Sequence, residues 1–421
     1  MWYSFLTKGV SLKACEKEYM HVLSLDYHTN VPRSEKVSQG GPARFAKRLS
    51  THLTGNKHMW TGIIARAEVE AIPQVKKVYT QPRLAYLEWK YDATTKNSLA
   101  TKKNFGNPKV WLRDEINSLK KIIEEVNPDV IFLNGFSLVS WMLLQAGFEC
   151  GVPIAMQHAG FFKKEILLYR DHFTENARRM LYQMERDITA MSSVEIFLNT
   201  WSEKVYNTTV QKVPKKKSSV IPLPYDEVSS SYKQSRTNQG EMRLGIVARW
   251  DRIKNHEAIL ALARKAKQRK LPWKFFAVTT IPDSKINATF KKDYQKFVTV
   301  SPSKSPGALR KFYKDMDILL LPSHFDVSPH VVMEAALEGV GTIISSNVGW
   351  GDEYRACGMG KWIVDFSSAQ KTSAKIEKIL TNKKSYSDDV GTLKKYLVQT
   401  HNPNTVFKQY ETLFTNIATA K

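Results

Sequence analysis

The alternation of short apolar runs with longer amphipathic runs constrains the fold of this chain most. The first half contains the apolar runs HVLSLD from His21, DVIFL from Asp129, PIAMQ from Pro153, EIFLN from Glu195 and SSVIPL from Ser218. The second half contains RLGIVA from Arg243, KFFAVTT from Lys274, FVTVS from Phe297, DILLLP from Asp317 and GTIISS from Gly341. Strands that alternate with helices are typical of parallel sheets covered on both faces. The pattern therefore predicts an α/β fold with two Rossmann-like, doubly wound domains that face a cleft.

The domain boundaries are predicted from length and from one polar stretch. A chain of 421 residues exceeds the roughly 100 to 200 residues of one typical domain. The stretch YDEVSSSYKQSRTNQGEM at residues 225–242 lacks helical periodicity and indicates a linker. We predict a first domain over residues 1–224, a linker over 225–241, a second domain over 242–400 and a final segment over 401–421. Residues 57–105 are less regular, and runs such as WTGIIARA suggest extra strands there.

The chain is strongly basic, which bears on its partners. It has 63 Lys and Arg against 40 Asp and Glu, a formal net charge of +23. Such a surface attracts phosphates, anionic lipid headgroups or nucleic acid, and charge alone does not choose among them.

The cysteines and the apolar segments bear on location. The three cysteines, Cys15, Cys150 and Cys357, are far apart, which argues against a disulfide framework and suits a reducing cytosol. The first 19 residues contain no apolar run long enough for a signal peptide. Residues 130–148 carry no charge, but Asn134-Gly135 divides them into a strand and a helix. We expect a cytoplasmic protein.

Candidate binding residues follow the strands of the first domain. Ligands of open α/β sheets bind beyond the carboxyl ends of the strands. Gly40 and Gly41 follow the first strand after a long loop and would let backbone N–H groups approach an anion, although they also fit a simple turn. His158 follows the run PIAMQ and would place an imidazole at the cleft, although a histidine there also fits a structural role.

Two cations follow the first strand of the second domain. The segment RLGIVARWDRIKNHE places Arg249 at the strand end and Lys254 five residues later, at the start of a helix. Fixed positive charge beside a helix N-terminus would bind a diphosphate. The alternative is that Arg249 and Lys254 are ordinary solvated surface residues without a ligand.

Acidic and glycine residues follow the last two strands. In SHFDVSPHVVMEAA we expect Ser328 at the N-cap and Pro329 at the first helical position. Asp326 and Glu334 then flank one helix N-terminus, where carboxylates could accept hydrogen bonds from paired hydroxyls. A solvated surface position for Glu334 is the alternative. In SSNVGWGDEY, Gly349 and Glu353 follow the next strand, and the glycine would permit close approach to a ligand.

These motifs together resemble a retaining glycosyltransferase of the family 4 type, with the two-domain GT-B architecture. The resemblance implies that Arg249 and Lys254 hold the diphosphate of a nucleotide sugar. It also implies that Asp326 contacts sugar hydroxyls and that Glu334, after seven intervening residues, contacts the ribose. His158 would lie near the donor sugar.

Further elements of the family pattern are matched in whole or in part. Gly40 and Gly41 match the early glycine pair, and the run NTVFKQYETLF matches a closing helix that crosses back to the first domain. The chain departs from the family in three places. Asp326 replaces a glutamate, Trp350 replaces a glycine, and KFFAVTTIPDS lacks the usual glycines after its strand.

The resemblance implies sugar transfer from a nucleotide diphosphate sugar to an acceptor hydroxyl, with no metal and no further cofactor. The first domain would hold the acceptor and the second the donor. We expect a lipid-linked or envelope glycan as acceptor, and docking on the anionic inner face of the cell membrane through FFKKEILLYR at residues 161–170. Transfer to modified bases of nucleic acid, a sugar phosphorylase or synthase, and a non-catalytic sugar-nucleotide-binding protein are the alternatives.

Overall fold

The computed structural model describes residues 19–26, 41–68, 71–92, 107–169, 173–226, 240–283 and 287–420. Within these ranges the strands form two sheets. The first sheet contains β1 (His21–Asp26), β2 (Met59–Glu68), β3 (Gln74–Gln81), β4 (Leu84–Asp92), β5 (Val130–Asn134), β6 (Ile154–His158), β7 (Val194–Phe197) and β8 (Ser218–Val220). The second contains β9 (Met242–Val247), β10 (Trp273–Val278), β11 (Val298–Ser301), β12 (Ile318–Leu321) and β13 (Thr342–Ile344).

Helices connect these strands. Those of the first half are α1 (Gly41–Gly55), α2 (Pro108–Trp111), α3 (Arg113–Val126), α4 (Leu138–Glu149), α5 (Phe162–Glu165), α6 (Glu175–Met191) and α7 (Thr200–Thr209). Those of the second half are α8 (His256–Gln268), α9 (Ala288–Phe297), α10 (Pro306–Lys314), α11 (His330–Leu337), α12 (Gly351–Ala356), α13 (Ala369–Thr381), α14 (Lys383–Thr400) and α15 (Pro403–Thr419).

Both sheets have the topology of doubly wound folds. The first sheet has the order β3-β4-β2-β1-β5-β6-β7-β8, and the second has the order β11-β10-β9-β12-β13. The named strands pair in parallel, except that β3 pairs antiparallel with β4 at the edge of the first sheet. In each sheet the order reverses beside the first strand, which is where open α/β sheets bind ligands. The expected fold class is confirmed.

Every apolar run that predicted a strand forms one, and the inner strands of each sheet are buried on both faces. All residues of β6, β7 and β12 are buried, as parallel sheets covered by helices require. The extra strands suspected within residues 57–105 are β2, β3 and β4. Nearly every side chain of β3 is exposed, so this strand has no apolar pattern for sequence analysis to detect.

The uncharged segment at residues 130–148 forms β5 and α4 inside the first domain. Gly135 makes the turn between them with φ +97°, and the Ser137 side chain caps α4. Most of α4 is buried, which explains its lack of charge. No helix of the described residues is long and apolar enough to cross a membrane.

The final helix α15 crosses back to the first domain, as expected. Tyr410 Oη donates to Gln157 Oε1 (2.5 Å), and the Tyr410 ring lies 5.2 Å from that of Phe45. The Tyr225 N–H donates to the His401 carbonyl (3.0 Å). The segment that leaves the first domain and the segment that returns to it therefore lie side by side. Most of the expected linker, residues 227–239, lies outside the described residues, and the boundaries stay predictions.

Candidate active site

A cleft of about 920 Å³ separates the two domains at the carboxyl ends of their strands. The first domain lines it with the start of α1 and the ends of β5 and β6, and the second with the loops after β9, β10 and β12 and the start of α11. This volume is in the range of small-molecule sites. Six of the expected site residues line the cleft: Gly41, Arg249, Lys254, Asp326, Ser328 and Glu334.

Lys254 lies on the loop after β9, where it forms an ion pair with Asp326. The Asp251 side chain accepts the Ile253 N–H (2.9 Å) and so folds a 3₁₀ turn over Arg252–Lys254. Asn255, with φ 54°, then caps α8, so Lys254 precedes this helix and does not begin it as expected. The side chains of Lys254 and Asp326 are only 16% and 14% exposed, which fixes a shielded cation at the cleft wall.

Arg249 presents a second cation at the mouth of the cleft. Its side chain is 77% exposed, and its nearest carboxylate, Asp251, is 3.9 Å away. Its backbone is held in place because His256 Nε2 donates to the Arg249 carbonyl (2.9 Å). One exposed and one shielded cation therefore follow the same strand, and both could donate charge-assisted hydrogen bonds to a diphosphate.

The helix after β12 begins one residue later than expected. Pro329 has an extended conformation (ψ 121°) and occupies the N-cap position, so α11 begins at His330. No side chain caps this end, which corrects the expected N-cap role of Ser328. Ser328 nevertheless lines the cleft, and Glu334 lies just over one turn into α11.

Glu334 lies at the seam between the domains. Its Oε1 accepts a hydrogen bond from Arg44 Nη2 on α1 of the first domain (2.8 Å). Its Oε2 accepts one from Tyr313 Oη on α10 (2.5 Å). Both carboxylate oxygens are thus held in place beside the cleft.

His158 does not line the cleft, which corrects the expectation of an imidazole at the cleft wall. The residue is 1% exposed, with Nε2 2.8 Å from Glu195 Oε2 and the ring stacked on Phe197. Side chains alternate along a strand, so the neighbours Gln157 and Ala159 line the cleft in its place.

The glycines serve packing within the protein. A Cβ on Gly349 would overlap the Val327 carbonyl oxygen, so this glycine lets two loops of the second domain meet, and it is not among the residues that line the cleft. A Cβ on Gly41 would lie 2.8 Å from His330 Cδ2, so Gly41 lets α1 approach α11. Gly40 lies outside the described residues.

Glu353, expected to bind the donor, is not among the residues that line the cleft. It lies in α12, and burial raises its pKa to about 7. Its Oε2 is buried without a hydrogen-bond partner among the described residues.

Sequence analysis missed Glu165, at the end of α5. Burial raises the pKa of Glu165 to about 7, the charge of Asp326 adds to this, and Lys254 opposes it. Glu165 is thus a first-domain carboxyl close to the cations of the second domain. The glutamate is visible in FFKKEILLYR, but the aromatic and basic residues around it favoured a membrane-docking interpretation.

Most of that stretch contacts the protein itself. Phe161 is buried with its ring 5.5 Å from Phe325 of the second domain, and the Leu168 carbonyl accepts Arg252 Nη1 (3.3 Å). Tyr169 Oη donates to Asp251. The segment therefore lies against the loop that carries Lys254, while Leu167 remains exposed.

Comparison with known proteins agrees with this geometry. Residues 229–391 match the model of the family "Glycosyl transferases group 1". No curated protein sequence matches the chain.

Within the described residues, no group of three or more His, Cys, Asp or Glu could hold a metal ion.

Solved structures share the fold over nearly the whole chain. Sucrose-phosphate synthase from Thermosynechococcus elongatus is 16% identical, with a TM-score of 0.69 over 96% of this chain and 100% of that one. The α,α-trehalose 6-phosphate synthase from Burkholderia multivorans is 13% identical, with a TM-score of 0.69 over 96% and 99%. An Escherichia coli trehalose-6-phosphate structure bound with UDP-2-fluoro glucose is 14% identical, with a TM-score of 0.63 over 95% and 99%.

At these identities the structures show the fold alone, and the family match covers most of the second domain. The resemblance read from Arg249, Lys254, Asp326 and Glu334 is confirmed at this level, while the role of each residue stays a prediction. Residues 229–391 match the model of the glycosyl transferases group 1 family, within a chain that has the two-domain GT-B fold.

Proposed function

We propose that this protein transfers a sugar, with retention of configuration, from a nucleoside diphosphate sugar to an acceptor hydroxyl held by the first domain. The observation that carries the proposal is the shielded Lys254–Asp326 pair beside the exposed Arg249, in a cleft between the two domains. A structure of the same fold carries UDP-2-fluoro glucose, and another is described in terms of glycosyl transfer with retention.

The reaction breaks the bond between the sugar and the diphosphate and forms a bond to the acceptor oxygen on the same face. Negative charge develops on the departing diphosphate, where Lys254 and Arg249 would stabilise it. Asp326 would accept a hydrogen bond from a hydroxyl of the transferred sugar. Glu334 would accept hydrogen bonds from the ribose hydroxyls. The acceptor proton passes to the departing phosphate, so no protein nucleophile is required.

For the acceptor we propose a lipid-linked or envelope glycan, reached from the cytoplasm at an anionic membrane. The net charge of +23 supports this, as does the exposed Leu167 beside Lys163 and Lys164. Cys150 and Cys357 are both unpaired thiols, which suits a cytoplasmic location.

A phosphorylated sugar is a second candidate acceptor. A trehalose-phosphate synthase of the same fold, from Burkholderia xenovorans, is described in complex with glucose-6-phosphate. The basic surface fits such an anion as well as it fits a membrane.

The test is nucleotide release from UDP-, GDP- and ADP-glucose with three acceptors: a lipid-linked glycan in anionic vesicles, glucose-6-phosphate, and duplex DNA with hydroxymethylated bases. We expect one donor to react, the vesicle acceptor to give product, and Lys254→Ala to abolish it. Product from glucose-6-phosphate or from DNA would identify that class of molecule as the acceptor instead. Tight nucleotide binding without transfer to any acceptor would favour a non-catalytic binding protein.

A further inference from the structure

Arg44 of the first domain joins three parts of the molecule. Its Nη1 donates to Asp226 Oδ2 (2.7 Å), at the start of the predicted linker, and its Nη2 donates to Glu334 Oε1 (2.8 Å), in the second domain. The side chains of Arg44 and Glu334 are 28% and 17% exposed. The two carboxylates hold the pKa of Arg44 above its usual value, although burial acts to lower it.

Two further contacts fix this arrangement. Arg48, one turn along α1, donates to the other oxygen of Asp226 (2.7 Å) without reaching Glu334. Tyr313 Oη donates to Glu334 Oε2 (2.5 Å). Glu334 is therefore held at both oxygens, once from its own domain and once from the opposite domain.

A carboxylate held in this way can still bind a ligand. Two carboxylate oxygens offer about four lone-pair sites, and Arg44 and Tyr313 occupy two of them. A glutamate that is already oriented loses less side-chain freedom when paired hydroxyls bind to it. Arg44 reaches Glu334 because α1 packs closely on α11 at Gly41 and His330. The contact therefore depends on the close approach of the two domains.

We propose that Arg44 is a positioning residue for the donor: it orients Glu334 to receive the ribose hydroxyls, and so couples donor affinity to closure of the cleft. The acceptor domain thereby strengthens donor binding without touching the donor. This inference rests on the proposed function, because it takes Glu334 as the ribose contact.

The test compares binding of a nucleoside diphosphate with binding of its 2′,3′-dideoxy analogue by calorimetry, using the full chain. Wild type should prefer the ribose form by roughly tenfold, the order expected for hydrogen bonds to a charged group. Arg44→Ala should lose most of that preference while binding the dideoxy form as wild type does, and Arg44→Lys should restore part of it. Arg48→Ala is the matched control and should keep the full preference.

A kinetic measurement separates positioning from a general loss of structure. Arg44→Ala should raise KM for the donor while changing kcat little, because Arg44 affects donor binding and not the reacting atoms. Retention of the full ribose preference in Arg44→Ala would overturn the proposal. Tighter binding of the ribose form by Arg44→Ala would also overturn it, because Arg44 would then compete with the donor for Glu334.

The proposed function fails in a different way. If the wild type binds the nucleotide without any ribose preference, Glu334 does not contact the ribose and Arg44 has no positioning role. The transferase proposal would still stand. A wild-type protein that binds no nucleoside diphosphate removes both.

Discussion

Lys254 and Asp326 form an ion pair that joins the loop after β9 to the loop after β12 at the wall of the cleft. The pair is largely shielded from solvent, so each charge depends on the other when no donor is bound. A donor diphosphate would therefore have to share Lys254 with an existing carboxylate.

Replacing this carboxylate should have opposite effects on the empty and the nucleotide-bound protein. Asp326→Asn leaves the Lys254 charge without its partner, so we expect a lower melting temperature for the empty protein. A nucleoside diphosphate then supplies the missing negative charge, so it should raise the melting temperature more in Asp326→Asn than in wild type. Thermal melts with and without the nucleotide measure both effects. A smaller rise in the variant would show that Asp326 assists diphosphate binding.

Gly349 should not tolerate a side chain. The added methyl group of Gly349→Ala would overlap the Val327 carbonyl oxygen, next to Asp326, so we expect lower stability and weaker nucleotide binding together. Gly391, within α14, has open space at the same position, and Gly391→Ala should stabilise the protein by about 0.5–1 kcal/mol. Chemical denaturation and calorimetry test the pair. Normal stability with weak nucleotide binding in Gly349→Ala would instead indicate direct ligand contact.

His158 should contribute to stability and not to catalysis. His158→Leu leaves the buried Glu195 Oε2 without its hydrogen-bond partner, which should lower the free energy of unfolding by roughly 1–3 kcal/mol. Adding Glu195→Gln should recover part of this loss, because an amide is less costly to bury than an ionisable carboxyl group. We expect the kcat of the folded fraction to stay close to that of wild type. A large fall in kcat without a loss of stability would place the imidazole at the reacting sugar.

Glu165 should make the protein sensitive to pH near neutrality. Its folded-state pKa, about 7, lies above the usual 4.5, so the folded protein holds the proton more tightly than the unfolded chain does. The resulting stabilisation is complete below about pH 4.5 and is lost as the pH rises through 7. Glu165→Gln mimics the protonated form, so the melting temperature of wild type should fall relative to this variant between pH 5 and pH 8. A constant difference across this range would contradict the raised pKa.

The apolar runs predicted the parallel strands because the inner strands of each sheet, such as β6, β7 and β12, are buried on both faces. The same burial hides which face each side chain takes, which is why His158 was predicted at the cleft although Gln157 and Ala159 line it. The motif around Lys254 correctly predicted that this residue lies at the cleft. The prediction succeeded because the position of Lys254 depends on one short loop.

The contacts of Arg44 and Glu165 with the second domain left no signal in the sequence. Arg44 and Glu334 are 290 positions apart, so neither spacing nor composition could pair them. The same holds for Glu165, whose environment is created by the loops of the other domain.

The central claim is that the cleft binds a nucleoside diphosphate through Lys254, and the shift in melting temperature with UDP, GDP, ADP and CMP tests it most directly. A ligand at about 100 times its dissociation constant adds roughly 2.7 kcal/mol of stability. We predict that one diphosphate stabilises the wild type and Arg264→Ala, a surface control, but not Lys254→Ala. No shift in the wild type, or an equal shift in Lys254→Ala, would contradict the account.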